Sequence, residues 1–190
     1  MDYSQNMDIV RETEKENETN QLSEPWVLWA HLPHVIDWSM KSFIKIHEVD
    51  NVTNTTSLVN YLPVNLINNC MLFYLREGIK PIWEDPKNRD GGCFTFKIFN
   101  KDVPGVWKDL MYSVCGESVS ENMEFNRSVN GITVSPKRTF CIIKIWMRTK
   151  KFSDPMIITP IANLTFNGCK FKEHTESYNK TPNKFSKYKK

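Results

Sequence analysis

Two tryptophans and a glutamate stand at positions where they could bind a flat ligand. Trp38 begins a predicted strand, and Trp83 lies in a short, charged, proline-punctuated loop directly before Glu84. A base held between two indoles gains about 1–3 kcal/mol per stacking contact, and a positive charge on the base adds about 0.5–2 kcal/mol. A carboxylate beside the stack can accept two parallel N–H bonds, which guanine offers and adenine does not. The alternative is that both tryptophans fill a hydrophobic core, and these residues alone leave both interpretations open.

Motifs for catalysis and metal binding are absent from the sequence. It contains no HExxH, P-loop, GxGxxG or GxSxG. Pro33 separates His31 from His34 and prevents the regular helix that would align them with Asp37 as metal ligands. The five cysteines are 22 to 28 residues apart without a CxxC pair, which favours reduced thiols in a cytoplasmic or nuclear protein. We therefore expect a binding protein that is not an enzyme and holds no metal or cofactor.

Length and charge indicate one folded domain between two charged ends. The chain has 190 residues, of which 40% are hydrophobic and 25% charged, as is typical of a soluble globular protein. We predict a disordered acidic tail over residues 1–24, a folded domain over 25–175 and a basic tail over 176–190. Residues 1–24 lack the apolar core of a signal peptide, and no apolar run is long enough to span a bilayer. We therefore expect a cytoplasmic, monomeric protein without membrane association.

Hydrophobic periodicity predicts an α+β fold in which strands outnumber helices. One helix is predicted from Asn51 or Thr53 to Pro63, and another from Pro104 to Gly116. Strands are predicted at 26–29, 38–47, 70–75, 93–99, 129–134, 140–147 and 169–174. No regular βαβ alternation appears, which favours an antiparallel sheet with its helices on one face. Trp38 then begins a strand, while Trp83 stays in a loop.

Four stretches of the sequence resemble one known family. They are Trp26-Val-Leu-Trp29, Gly78-Ile-Lys-Pro-Ile-Trp-Glu-Asp-Pro-Lys-Asn-Arg-Asp-Gly-Gly92, Trp107 followed by Cys115-Gly-Glu-Ser118, and Ile143-Lys-Ile-Trp146. In order and spacing, from about residue 22 to 150, they resemble the eukaryotic translation initiation factor 4E family of messenger-RNA cap-binding proteins. The resemblance implies a single curved antiparallel sheet, about three helices on its convex face and a cap pocket on its concave side. The richness in Asn, Lys and Ile is typical of an AT-rich genome, such as that of a divergent eukaryote or a large virus.

The resemblance assigns roles to four residues around the base of the cap. It implies that Trp38 and Trp83 sandwich 7-methylguanine and that Glu84 pairs with the N1 and N2 groups of the base. Trp146 is implied to lie near the N7-methyl group. Methylation gives the base a positive charge, which explains an aromatic cage and a carboxylate in the same site.

The resemblance also points to basic residues for the cap phosphates. Lys137 falls where the family has an arginine for this purpose, and Arg138 and Lys144 are further candidates. Two other positions depart from the family, because Cys93 replaces an arginine and Ile142 replaces a lysine. We therefore expect a rearranged phosphate contact. Candidate replacements are Lys170, Lys172 and the basic tail.

The convex face departs further from the family pattern. The family presents a helix tryptophan there, which receives the Tyr-x-x-x-x-Leu-apolar motif of initiation factor 4G and of 4E-binding proteins. This chain keeps Val52, Asp109 and Gly116, but Thr56 stands at the tryptophan position and Lys108 at an apolar one. An indole anchor contributes about 2 kcal/mol or more to an interface. We predict that the ordinary scaffold binds poorly and that a dedicated partner with a different motif takes its place.

Three functions remain compatible with the sequence. The first is a cap-binding protein that recruits messenger RNA for translation, and a variant of it is a cap-binding repressor that lacks the scaffold site. The second class is a protein-interaction module that keeps the fold without cap binding, although the four retained base-site residues argue against it. The third, a cap-processing enzyme, has no catalytic constellation to support it.

The segment between Trp146 and Phe171 is shorter than in the family, which predicts a trimmed third helix.

Overall fold

The computed structural model describes residues 20–175, and seven antiparallel strands form its single sheet. In spatial order the strands are β2-β1-β3-β5-β6-β4-β7. Irregular pairing in β1 and at the start of β5 adds local bends, as β-bulges do. The predicted α+β fold with one curved antiparallel sheet is therefore confirmed. The strands are β1 (Gln21–His31), β2 (Phe43–Asn51), β3 (Met71–Arg76), β4 (Gly92–Phe99), β5 (Val129–Pro136), β6 (Phe140–Met147) and β7 (Lys170–Glu173).

The described chain contains five α-helices rather than about three. Asn51 caps the first by accepting a 2.8 Å hydrogen bond from the amide of Asn54, and Gly116 follows the fourth, as the sequence predicted. The three that sequence patterning missed have six residues or fewer, too few to show helical periodicity. The helices are α1 (Val52–Tyr61), α2 (Val64–Asn69), α3 (Pro86–Arg89), α4 (Val103–Cys115) and α5 (Met123–Ser128). Between β6 and β7 the described chain has only a 3-10 helix, Pro155–Ile157.

Each face of the sheet buries its own set of side chains. The larger core lies between the sheet and helices α1, α2, α4 and α5, and it includes Trp26 and Trp107 at 0% and 1% exposure. A smaller cluster on the opposite, concave face contains Phe73, Cys93 and Trp146. The alternation of side chains along each strand separates the two sets. The cavity described below opens on the side of this smaller cluster.

Two predicted boundaries are wrong. Strand β1 begins at Gln21, which pairs with Asn51, so residues 21–24 belong to the sheet and not to the predicted tail. The strand predicted over 38–47 begins only at Phe43, because the 3-10 helix Met40–Ser42 precedes it. The remainder of both predicted tails, 1–19 and 176–190, lies outside the described residues. Within 20–175, no helix has the length and apolar character needed to cross a membrane.

Candidate functional site

A cavity of about 410 Å³ opens on the concave face. Trp38, Trp83, Glu84 and Trp146 all line it, although they come from three distant parts of the chain. The volume falls within the range of small-molecule sites in proteins. The fold thus brings together all four residues that the sequence suggested for base binding.

Trp38 is held at the cavity by a stacked histidine. The imidazole of His31 lies parallel to the indole, with ring centroids 4.0 Å apart and planes at 5°. His31 is 2% exposed while Trp38 is 56% exposed, and His31 Nε2 donates to the backbone oxygen of Asp37 at 2.8 Å. The Asp37 carboxylate accepts from the amide and hydroxyl of Ser39 at 2.8 Å each, which lowers the pKa of Asp37 below its usual value. These bonds fix the loop that presents the indole.

Hydrogen bonds close the loop that carries Trp83 and Glu84. The side chain of Asn88, fully buried, donates from Nδ2 to the carbonyl oxygens of Lys80 at 3.1 Å and Ile82 at 2.9 Å. The Asp85 carboxylate accepts from the amides of Lys80 and Lys87. The loop is thereby folded around two polar side chains, which leaves Trp83 half-buried and Glu84 exposed at the cavity.

The glycine pair after this loop permits a close approach of β4 to its neighbours. A Cβ on Gly91 would lie 1.8 Å from the carbonyl oxygen of Met147, and one on Gly92 would lie 2.6 Å from the Phe171 ring. Any larger residue would push β4 away from β6 and β7. The glycines therefore set the position of the three strands that form one wall of the cavity.

Trp146 forms part of that wall and is fixed by its neighbours. It is 6% exposed, and its Nε1 donates to the hydroxyl of Thr133 at 3.3 Å. Its ring packs edge-on against Phe73, with centroids 6.3 Å apart. Across the sheet, Trp146 pairs with Cys93, and Cys93 pairs with Lys172. The three side chains form a row across β6, β4 and β7.

His174 also lines the cavity, and sequence reasoning missed it. Its Nδ1 donates to the backbone oxygen of Asn88 at 2.8 Å, while Nε2 is buried and has no hydrogen-bond partner within the described chain. Burial lowers the pKa of His174, and the charge of Lys144 lowers it further, against the opposing effect of the Asn88 bond. A neutral ring with Nδ1 protonated leaves Nε2 as an acceptor beside Trp146, whose ring centroid is 4.9 Å away.

The three basic residues predicted to bind the cap phosphates lie in two separate surface depressions. Lys144 lines the cavity. Lys137 and Arg138 line a different depression of about 490 Å³, together with Asn68 and Asn100. They lie at the β5–β6 turn, where the last residue pair is Pro136 with Cys141. At about 3.3 Å per residue, that turn is roughly 17 Å along β6 from Trp146, so the structure does not bring Lys137 and Arg138 into the cavity.

The predicted partner residues lie together on the helical side of the molecule. All five are exposed, and they lie on or beside α1 and α4. The Nζ of Lys108 donates to the side-chain oxygen of Asn60 at 3.1 Å, which bridges the two helices. A polar bridge thus occupies part of this surface. The five residues are Val52, Thr56, Lys108, Asp109 and Gly116.

The sequence of the chain matches one known protein family over most of its length. The sequence model of the family described as "Eukaryotic initiation factor 4E" matches residues 21–189. The chain belongs to this family. An initiation factor 4E homolog of Acanthamoeba polyphaga mimivirus is 36% identical over 92 residues, covering 48% of this chain and 34% of that protein. Initiation factor 4E of Eremothecium gossypii is 30% identical over 138 residues, covering 67% of this chain and 62% of its own length. The matches thus span less than two thirds of either relative.

Solved structures of initiation factor 4E proteins share the fold. Ascaris suum eIF4E-3, in a complex with an m7G cap, superposes with a TM-score of 0.61 at 24% identity, covering 70% of this chain and 75% of that one. Caenorhabditis elegans eIF4E-3, in a complex with the 4E-binding protein Mextli and a cap analog, gives 0.68 at 20% identity, covering 85% and 96%. At these identities the likeness shows the architecture alone.

Proposed function

We propose that this initiation factor 4E protein binds the 7-methylguanosine cap of messenger RNA, with the base stacked between Trp38 and Trp83. The observation that carries the proposal is the convergence of both indoles and Glu84 on one cavity. His31 covers one face of Trp38 and does not line the cavity, so the other face is left for a ligand. The positive charge of a 7-methylated base strengthens its attraction to both indoles.

Glu84 and Trp146 supply the remaining contacts of the base. The exposed carboxylate of Glu84 can accept the N1–H and N2–H bonds of guanine, worth about 1.5–3 kcal/mol as charge-assisted hydrogen bonds. The largely buried Trp146 closes the cavity where the N7-methyl group would lie. Together these side chains select for a methylated guanine over other bases.

One relative, solved in two complexes, supports the same ligand. The Ascaris suum eIF4E-3 structures contain an m7G cap in one case and an m2,2,7G cap in another. Both ligands are 7-methylated guanines, and the present chain retains the residue types that such a base needs. We infer that the protein takes part in translation initiation in the cytoplasm, as a monomer without a cofactor, and that it is not an enzyme.

A second candidate function is translational repression through competition for the cap. The observation that favours it is the convex surface, where Thr56 is exposed in place of an indole and Lys108 bonds to Asn60. A protein that holds the cap without the ordinary scaffold would withhold messenger RNA from ribosomes.

The Caenorhabditis elegans relative binds a 4E-binding protein, and we propose that the present chain uses a scaffold of the initiation factor 4G type or a divergent partner of its own.

A tryptophan-fluorescence titration tests the cap-binding proposal. Wild type is titrated with 7-methyl-GTP and with GTP, beside Trp83→Ala and a control, Tyr61→Ala, which removes an aromatic ring that is 84% exposed on α1. We expect strong quenching by the methylated ligand, weak quenching by GTP, loss of the response in Trp83→Ala and no change in the control. Equal quenching by both ligands, or none, would mean that the fold serves a purpose other than cap binding.

A further inference from the structure

Two lysines line the cavity without a carboxylate partner. Lys144 on β6 and Lys172 on β7 both contribute to its wall, and neither forms an ion pair within residues 20–175. The neighbouring Glu173 is engaged elsewhere, since it accepts from Lys150 at 2.7 Å. Among the described residues that line the cavity, Glu84 is the single carboxylate. The wall formed by β6, β4 and β7 therefore carries two positive charges that no carboxylate pairs with among the described residues.

The strand register places both lysines next to the Trp146–Cys93 pair, Lys144 on the same strand as Trp146 and Lys172 on the strand beyond Cys93. Lys172 lies opposite Cys93 and two strands away from Trp146, a span of about 10 Å at 4.7–4.9 Å per strand. Lys144 precedes Trp146 by two residues on β6 and therefore lies on the same face. Cys93, 4% exposed, lies between Trp146 and Lys172. Both ammonium groups can thus reach a ligand that leaves the base pocket across β4.

A second row of residues continues this surface. Lys144 pairs with Thr95, and Thr95 pairs with Lys170 on the edge strand β7. Lys170 is exposed and, like Lys144 and Lys172, has no ion pair within the described chain. The surface from Trp146 to the β7 edge therefore presents three lysines and, on the strands that form it, no carboxylate on the same face.

We propose that Lys144 and Lys172 bind the phosphate groups that follow the capped base and that the phosphate chain runs across β4 toward the β7 edge, with Lys170 beyond. This inference rests on the proposed cap binding and assigns the phosphate contacts within it. Ammonium groups bind phosphate oxygens as point charges with strong, charge-assisted hydrogen bonds. The buried Nε2 of His174, an unpartnered acceptor at the same wall, marks a place where a ligand hydroxyl or a bridging water can donate.

The alternative is a phosphate chain directed along β6 to Lys137 and Arg138. Those residues line a separate depression, roughly 17 Å from Trp146 along the strand. A cap triphosphate attached to a base in the cavity would have to extend past Lys144 to reach them. The two routes therefore make different predictions about which lysines contribute to the affinity.

Dissociation constants for 7-methylguanosine and for its 5′-mono- and triphosphates test the inference. The variants are Lys144→Met, Lys172→Met and the pair Lys137→Met/Arg138→Met. Arg127→Met, at an exposed position of α5, controls for the loss of one positive charge. We expect each cavity lysine variant to weaken triphosphate binding about tenfold and to leave nucleoside binding unchanged. The Lys137/Arg138 pair and the control are expected to bind all three ligands as wild type does.

The outcomes separate the inference from the function on which it rests. If the Lys137→Met/Arg138→Met variant binds the triphosphate no more tightly than the nucleoside, while Lys172→Met binds it as wild type does, the proposed route is wrong and cap binding stands. If wild type binds none of the methylated ligands, cap binding itself fails, and the phosphate assignment fails with it. A loss of nucleoside binding in Lys172→Met would show a disturbed base pocket and would also contradict the assignment.

Discussion

The imidazole of His31 lies flat against the indole of Trp38, with centroids 4.0 Å apart and planes at 5°. The histidine is buried and anchored by its bond to the Asp37 carbonyl, whereas the tryptophan is mostly exposed. The exposed ring is therefore held by a buried one. A loop tryptophan without such support would lose rotamer freedom on binding, at a cost in affinity.

Replacing His31 by alanine should weaken 7-methyl-GTP binding. Aromatic pairs contribute about 0.5–1.5 kcal/mol, so we expect an affinity loss of about two- to tenfold. His31→Phe keeps a flat ring against Trp38 and should retain most of the affinity. Calorimetric titration measures both variants, and an alanine variant that binds as tightly as wild type would show that Trp38 needs no stacked partner.

Replacing Glu84 by glutamine should weaken the binding of 7-methyl-GTP through the guanine edge. The amide keeps one acceptor but loses the charge, and charge-assisted bonds exceed neutral ones by about 1 kcal/mol or more each. We expect 7-methyl-GTP affinity to fall by about tenfold. Glu121→Gln, at another exposed carboxylate, is the control for the change in net charge. Unchanged affinity in Glu84→Gln would remove this carboxylate from the site.

His174 should make the protein less stable as the pH falls below about 6.5, the ordinary pKa of histidine. Burial lowers the pKa of His174 in the folded state. Between the two pKa values the unfolded chain therefore binds a proton that the folded chain does not, and unfolding becomes more favourable. Melting temperatures measured from pH 7.5 to 5.5 should decline less in His174→Asn than in wild type. His47→Asn, at an exposed histidine, should decline as wild type does; equal slopes in all three would contradict the effect.

The convex surface should bind the Tyr-x-x-x-x-Leu-apolar motif poorly. Thr56 offers no indole, and Lys108 bonds to Asn60 on the neighbouring helix. The double variant Thr56→Trp/Lys108→Leu should raise affinity for a peptide with this motif by about thirtyfold, as expected from an anchor worth about 2 kcal/mol. Fluorescence anisotropy with a labelled peptide measures the change. Micromolar binding by wild type would contradict the prediction.

Sequence patterning predicted the elements that show a clear period. Strands β4 and β6 alternate, and helices α1 and α4 repeat, over enough residues for a buried face to be recognised. Strands β1 and β3 are recognised instead as short apolar and aromatic runs. Helix α3 did not emerge, although Asp85 and Pro86 are ordinary signals for a helix start, because four residues carry no periodicity. Trp38 was placed at the start of a strand, but the Asp37–Ser39 turn holds it in a loop.

The base-site residues were found because their types and spacing are unusual, and a family resemblance connected them. Position along the sheet could not be found in this way. Lys137 and Arg138 belong to the predicted hairpin, but only the folded structure shows that they line a depression separate from the cavity. His174 contacts Asn88 across 86 residues, and no local pattern links two positions so far apart.

Strand β7 comes late in the chain and spans only Lys170–Glu173, yet Lys172 and the adjacent His174 complete the cavity. Contacts between segments this distant form only after a long loop has closed, which slows folding. A growing polypeptide therefore contains Trp38, Trp83 and Trp146 before Lys172 and His174 have been synthesised. The cavity is complete only once β7 has been synthesised and has paired with β4.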